Sequence, residues 1–280
     1  MDNLIINMLN ALGEGPVTPF ADLLKSPEQH NSGLYSAAVT LHNTAVKPLT
    51  GIILAIVLIM MLASASTRID GDRELGVRII SGIMLKAGLV VVFASQALTI
   101  LQAIDEVSTT IAAGAMDADI GGSVGETALG NDLSDSVKDA STTDKLGMLV
   151  IIMIPFMVSQ LVGVLALVLI FVRFIQLYMM TVFASLPIAF IAYEETKQMG
   201  IGYLKRYAST ALSGVVIILA LKLYQALLGS WLTTNVSVDG DTDLFAFATS
   251  NFGNFMVAPV VLGFVLFGAT QLSKALVGDA

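Results

Sequence analysis

The chain has 280 residues, 55% of them hydrophobic and only 13% charged, with a net charge of −8 and no cysteine. An average soluble domain carries about 25% charged residues, so these charges cannot cover a water-facing surface, and the hydrophobicity excludes disorder. Without cysteine there is no disulfide framework or thiolate zinc site, the acidic balance argues against a broad face for DNA phosphates, and an all-α polytopic membrane protein remains.

Residues 1–31 form an N-terminal segment without a positive leader or a small-residue cleavage site, so no cleavable signal is expected. Leu4, Ile5, Met8, Leu9 and Leu12 recur at helical spacing. This pattern reads as a short amphipathic helix over 3–12 lying on the membrane surface, or as a frayed terminus.

The first span is expected over 32–66. Its apolar run, Leu49 to Thr67, is extended upstream by a stripe of Leu34, Ala38, Leu41 and Ala45. A start near Ser32 makes Pro48 a kink inside a helix of about 50 Å. The second span covers 77–105 and contains Lys86. An acidic external segment, 106–145, follows, with Gly, Ser and Thr concentrated in a mobile middle over 117–143.

The region 146–193 is uncharged except for Arg173. As one helix it would measure about 72 Å. It reads as one long crossing to about Ala184, broken at Ser185-Leu186-Pro187, with a re-entrant apolar return over 188–193; two crossings also fit its length. The fourth span, 208–232, carries Lys222, and the fifth covers 254–274.

Lysines and arginines in short loops mark the cytoplasmic side. Arg68, Arg73 and Arg78 share one loop; Lys197, Lys205 and Arg206 share another; Lys274 follows the last span. The segment 234–253 has no base, and 105–145 has nine acids against Lys138 and Lys145. Five spans, with the amino terminus outside and the carboxyl terminus cytoplasmic, place four bases and sixteen acids outside. The same threading puts nine bases and six acids inside.

Charges within apolar spans cost about 2.5–3.5 kcal/mol each on insertion scales. Lys86 has room to snorkel to the inner interface. Arg173 marks that interface or faces a neighbouring subunit, with Gln176 three residues on. Lys222 snorkels outward, or faces a bundle interior or a water-filled lumen, with Gln225 nearby. These five are the candidate lumen or subunit-interface residues, and Pro48 and Pro187 are the helix breaks. Gly51 and Ala55 stand at a spacing that permits close helix approach.

No catalytic, metal or cofactor constellation is found. Gly121-Gly122-Ser123-Val124-Gly125 matches a hydrolase pattern in form, but that pattern needs a later histidine, both histidines, His30 and His42, precede it, and its flanks read as acidic and flexible. No acid is placed at mid-membrane, so a carboxylate proton relay is not supported, and no inverted repeat is seen.

Three stretches carry a resemblance. They are Asn31-Ser-Gly-Leu-Tyr-Ser through Val46-Lys-Pro-Leu-Thr-Gly-Ile-Ile-Leu54; Val172-Arg-Phe-Ile-Gln-Leu-Tyr-Met-Met-Thr-Val-Phe-Ala-Ser-Leu-Pro-Ile-Ala-Phe190 with Gly200-Ile-Gly-Tyr-Leu-Lys-Arg206; and Gln271-Leu-Ser-Lys274. In order and spacing the set resembles TrbL-like conjugal-transfer membrane proteins of Gram-positive mobile elements, the polytopic component of type IV secretion machines. The resemblance implies a non-enzymatic channel or scaffold subunit, a homo-oligomeric ring in membrane lipid with an external amino terminus. It further implies partner ATPases and membrane subunits, and a DNA–protein substrate in transit. A stand-alone small-solute transporter or channel is the alternative.

Overall fold

A computed structural model gives the fold and describes residues 1–14, 20–66, 73–118, 129–235 and 244–278. These are 93% helical and hold no strand. In chain order the helices are α1 (Asp2–Glu14), α2 (Phe20–Leu23), α3 (Pro27–His30), α4 (Ser32–Leu41), α5 (Lys47–Ser66), α6 (Arg73–Ser95), α7 (Ala97–Asp117), α8 (Leu129–Asp132), α9 (Ser134–Asp139), α10 (Thr142–Val182), α11 (Ser185–Ala189), α12 (Lys197–Asn235) and α13 (Leu244–Val277). A π-helical turn, His42–Val46, joins α4 to α5, and a 3₁₀ turn, Phe190–Ala192, follows α11.

Five stretches are long and apolar enough to cross a membrane: Ser32–Ser66, Gly76–Ser95, Thr142–Val182, Lys197–Leu227 and Phe245–Val277. Helical backbone pairs most of its polar groups internally, the condition for crossing hydrocarbon, and Pro48, Pro155 and Pro259 each remove one donor within a span.

The chain divides into two compact units. One is made of Met1–Leu23, Ala112–Phe171 and Val215–Gln271, the other of Leu24–Ile111, Val172–Gly214 and Leu272–Ala280.

In the first unit, the apolar stripe of α1 finds protein rather than bilayer. Ile5, Met8, Leu9 and Leu12 are buried, as are Leu133 and Val137 on the segment opposite, and α1 packs on α8 and α9. The Asn10 side chain accepts from the Gly130 amide at 2.8 Å, and Lys145 pairs with Asp2 at 3.0 Å. A helix is present where the amphipathic segment was expected, over Asp2–Glu14. An amphipathic helix buries its stripe against whatever apolar surface is nearest, and here α8 and α9 supply it. Within the segment 117–143, Leu129–Asp132 and Ser134–Asp139 form short helices against α1. Residues 119–128, with the Gly121–Gly125 pattern, lie outside the described residues.

Gly130 is required by this packing. A Cβ there would run into the Ile6 carbonyl and sit 2.7 Å from Asn10 Oδ1. Gly130→Ala is therefore expected to loosen α1 and cost about 1–2 kcal/mol. Hydrogen exchange should show faster amide exchange over 2–14, and unchanged protection there would refute this account.

In the second unit, the Asn31 side chain accepts from the Leu34 amide and caps α4. Pro48 has no N–H to offer the Thr44 carbonyl, and its ring crowds that carbonyl. The helix responds by widening, and the Lys47 amide reaches back five residues to the His42 carbonyl. The kink expected at Pro48 is thus a π turn just before it. There His42 Nδ1 lies 3.1 Å from the Val182 carbonyl, and the Thr50 and Ser185 hydroxyls pair at 2.8 Å.

The break near 185–193 is present. α10 stops at Val182, α11 starts at Ser185, and Pro187 falls in the first turn of α11, where a missing N–H costs nothing. Tyr203 Oη donates to the Met180 carbonyl at 2.6 Å, which at the break also accepts from the Phe183 amide three residues on, at 3.1 Å.

Residues 106–117, read from sequence as the start of an external loop, continue α7 as helix. The turn at Gln96 divides α6 from α7.

Candidate functional site

The second unit contains a buried polar junction built by α7, α10 and α12. On α7, Leu101, Asp105 and Ser108 follow one another at helical spacing and all are buried. Asp105 is 6% exposed. Its Oδ2 accepts from Tyr207 Oη at 2.7 Å, and Tyr207 is fully enclosed. Three residues on, Ser108 Oγ donates to the Ala211 carbonyl at 2.7 Å.

From α10, Arg173, only 5% exposed, reaches the same stretch of α12. Its Nε donates to the Thr210 carbonyl at 3.2 Å and its Nη2 to the Ala211 carbonyl at 3.0 Å. Nη1 is buried with no hydrogen-bond partner among the described residues. Both carbonyls are shared acceptors: besides their place in the helix, Ala211 also takes Ser108 Oγ and Thr210 takes Ser213 Oγ at 2.7 Å. Gly214 makes the approach feasible, because a Cβ there would lie 2.5 Å from Arg173 Cζ. Asp105 and Arg173 bond to the same stretch of α12, residues 207–211. A cation and an anion are buried together, which is the arrangement that makes either tolerable.

The neighbouring α3 is docked by rings. His30 stacks on Phe174 with centroids 3.8 Å apart and planes 1° from parallel. Arg173 Cζ lies 5.0 Å from the centroid of Phe174, and Tyr178 Oη donates to the Pro27 carbonyl at 2.9 Å. Between α3, α4 and α7 lies a polar cavity of about 360 Å³, lined among others by Glu28, Gln29, Tyr35, Gln102 and Asp105.

The residues singled out from sequence fall into different settings. Arg173 is in the junction. Gln176, expected on its face, is exposed. Lys222, in the first unit, donates to the Met116 carbonyl and to the Ala118 carbonyl at 2.8 Å. It places its charge at the negative end of α7. Gln225 is half-buried near it in sequence. Lys86 pairs with Glu194 at 3.5 Å. Among the described residues no group of three or more His, Asp or Glu could hold a metal ion.

Asp105 is the residue that sequence reasoning missed. It was counted among the acids of the external segment, yet it is buried, with its carboxylate against Tyr207. The available signal was its place in the stripe Ala97, Leu101, Ser108, Ala112, where an acid interrupts small and apolar residues at helical spacing.

A family model described as TrbL/VirB6 plasmid conjugal transfer like protein matches residues 17–185. No curated protein matches the chain, and no solved structure does.

Proposed function

The chain belongs to the TrbL/VirB6 plasmid conjugal transfer like family, and from that premise we propose that this multi-pass membrane component of conjugal transfer is a channel or scaffold subunit of the type IV secretion machine, without catalytic chemistry of its own. It assembles as a homo-oligomeric ring, amino terminus outside and carboxyl terminus cytoplasmic. The ring is flanked by the machine's other membrane subunits and ATPases, and a DNA–protein substrate passes through or beside it.

The observation that carries this reading is where the cations within the spans are used. Arg173 and Lys222 both spend their donors on helix carbonyls of their own chain. Such contacts hold a framework together; they do not converge on a reacting atom. Exposed Gln176 and half-buried Gln225 are the polar groups that the framework leaves for a neighbouring subunit or a lumen. The external amino terminus rests on the asymmetry of basic residues between loops.

Deletion of the gene is expected to abolish plasmid transfer in matings, with recovery on complementation, and the purified chain should run as a homo-oligomer by native mass spectrometry. Lys222→Leu is expected to insert normally yet lower transfer or ring assembly, because the end of α7 loses its tether. Normal transfer with this variant would remove Lys222 from the assembly. Solute flux through liposomes containing the chain alone, with transfer intact after deletion, would favour the stand-alone transporter instead.

A further inference from the structure

A narrow apolar groove runs along the second unit between α5, α6 and the 3₁₀ turn. Gly51, Leu54, Leu58 and Met61 line it from α5, Ala87 and Val91 from α6, and its volume is about 330 Å³. Its direction follows from its contacts. Near one end Thr50 meets Ser185; toward the other Val57, Met61, Val90 and Ala192 cluster together. Two residues past Ala192 stands Glu194, which pairs with Lys86 at 3.5 Å and Lys197 at 3.9 Å. Lys86 immediately precedes the lining residue Ala87, so this ion-pair cluster adjoins the groove. Gly51 leaves the opposite end open, since a Cβ there would meet nothing within 4 Å.

The dimensions select the occupant. Gly51 and Met61 are ten residues apart, about 15 Å along the helix, half of the about 30 Å hydrocarbon core. The groove is one leaflet deep. A volume of about 330 Å³ over that length leaves a cross-section of about 22 Å², whereas a helix about 10 Å across needs roughly 80 Å². A single hydrocarbon chain matches that section. The helices that form the groove have little protein against them: 11% of the second span's apolar window is buried.

The rim selects the headgroup. Lys86 and Lys197 side chains are 44% and 43% exposed, held on either side of Glu194. Arg78 is exposed two turns earlier on α6, and Glu195 is the other acid nearby. Lys86 and Lys197 share the single carboxylate of Glu194. A lysine stem along the groove wall with its ammonium at the rim is the snorkelling geometry, and the natural counter-charge there is a phosphate.

We propose that this groove is a binding site for one acyl chain of an anionic phospholipid, whose phosphate sits against Lys86 and Lys197. The site is independent of whether the protein forms a channel. It gives Lys86 a role in lipid selection and explains the small residues at Gly51, Ala55 and Ala87, which keep the slot open.

The test uses the full chain in neutral detergent, titrated with phosphatidylglycerol and with phosphatidylcholine of equal chain length, read by native mass spectrometry and by thermal unfolding. Saturable binding and a raised midpoint are expected with phosphatidylglycerol, and weaker effects with phosphatidylcholine. The double variant Lys86→Gln, Lys197→Gln should lose roughly fivefold in phosphatidylglycerol affinity per lysine and keep its phosphatidylcholine affinity. Ala55→Phe, which fills the slot, should remove saturable binding of both lipids. Equal affinities of the unaltered chain for the two lipids would overturn the proposal. So would unchanged binding by Ala55→Phe, or an Ala55→Phe variant that changes oligomer size while retaining lipid. If Ala55→Phe does not fold, the double lysine variant decides: unchanged phosphatidylglycerol affinity refutes the site.

Discussion

Arg173→Leu is expected to lower the stability of the chain by about 3–5 kcal/mol, the cost of breaking a buried charged arrangement from one side. The substitution keeps apolar volume but deletes the donors to the Thr210 and Ala211 carbonyls. It also leaves Asp105 buried with Tyr207 as its hydrogen-bond partner and without its cation. The stranded carboxylate dominates the loss, because helix carbonyls keep their ladder partners while an uncompensated buried anion does not find a substitute. Unfolding of the purified chain in detergent should show the shift. Adding Asp105→Leu to Arg173→Leu should recover a substantial part of the loss, since removing both charges removes the penalty. An unshifted midpoint in the single variant, or strictly additive losses in the double, would mean that the two charges do not depend on each other.

Gly214→Ala is the second large effect, and its sign is the informative part. In an open helix interior this change is favourable by up to about 1 kcal/mol, because alanine loses less backbone entropy. Here the new methyl would lie 2.5 Å from Arg173 Cζ and 2.7 and 2.8 Å from its terminal nitrogens. The guanidinium must leave, and it is enclosed, so a net destabilisation approaching about 3 kcal/mol is expected. In the Arg173→Leu background the obstruction is gone, and Gly214→Ala should become neutral or stabilising. A destabilisation of equal size in both backgrounds would place the cost elsewhere than at the guanidinium.

Much of the helical layout is legible along the chain. The apolar runs around Leu49–Thr67 and 146–182 are too long and too free of charge to be anything but helices in lipid. Pro48 and Pro187 mark irregularities because a missing N–H is a local fact. Even so, the local reading stops at the element. Proline says that α5 cannot begin as a regular helix; it does not say that the chain will widen into a π turn and set His42 beside Val182. The stripe of α1 says that Ile5, Met8, Leu9 and Leu12 need cover, yet the cover, Leu133 and Val137, comes from a segment whose composition reads as mobile.

The candidate site divides the same way. Arg173 and Lys222 stand out because a cation among apolar residues is conspicuous by itself. Asp105 does not, because it sits where an apolar run gives way to an acidic segment and passes for the first residue of a loop. Its partner Tyr207 is 102 positions away, and Gly214 is an ordinary helix glycine until Arg173 is laid across it.

What the amino-acid order determined by itself is that this protein consists of apolar helices separated by charged segments of opposite sign, because hydropathy and periodicity act over single turns. What only the tertiary structure decided is which polar groups are buried against each other. Hydrogen bonds and ion pairs act over a few ångströms of space, and in a chain of long helices that closeness joins residues a hundred positions apart.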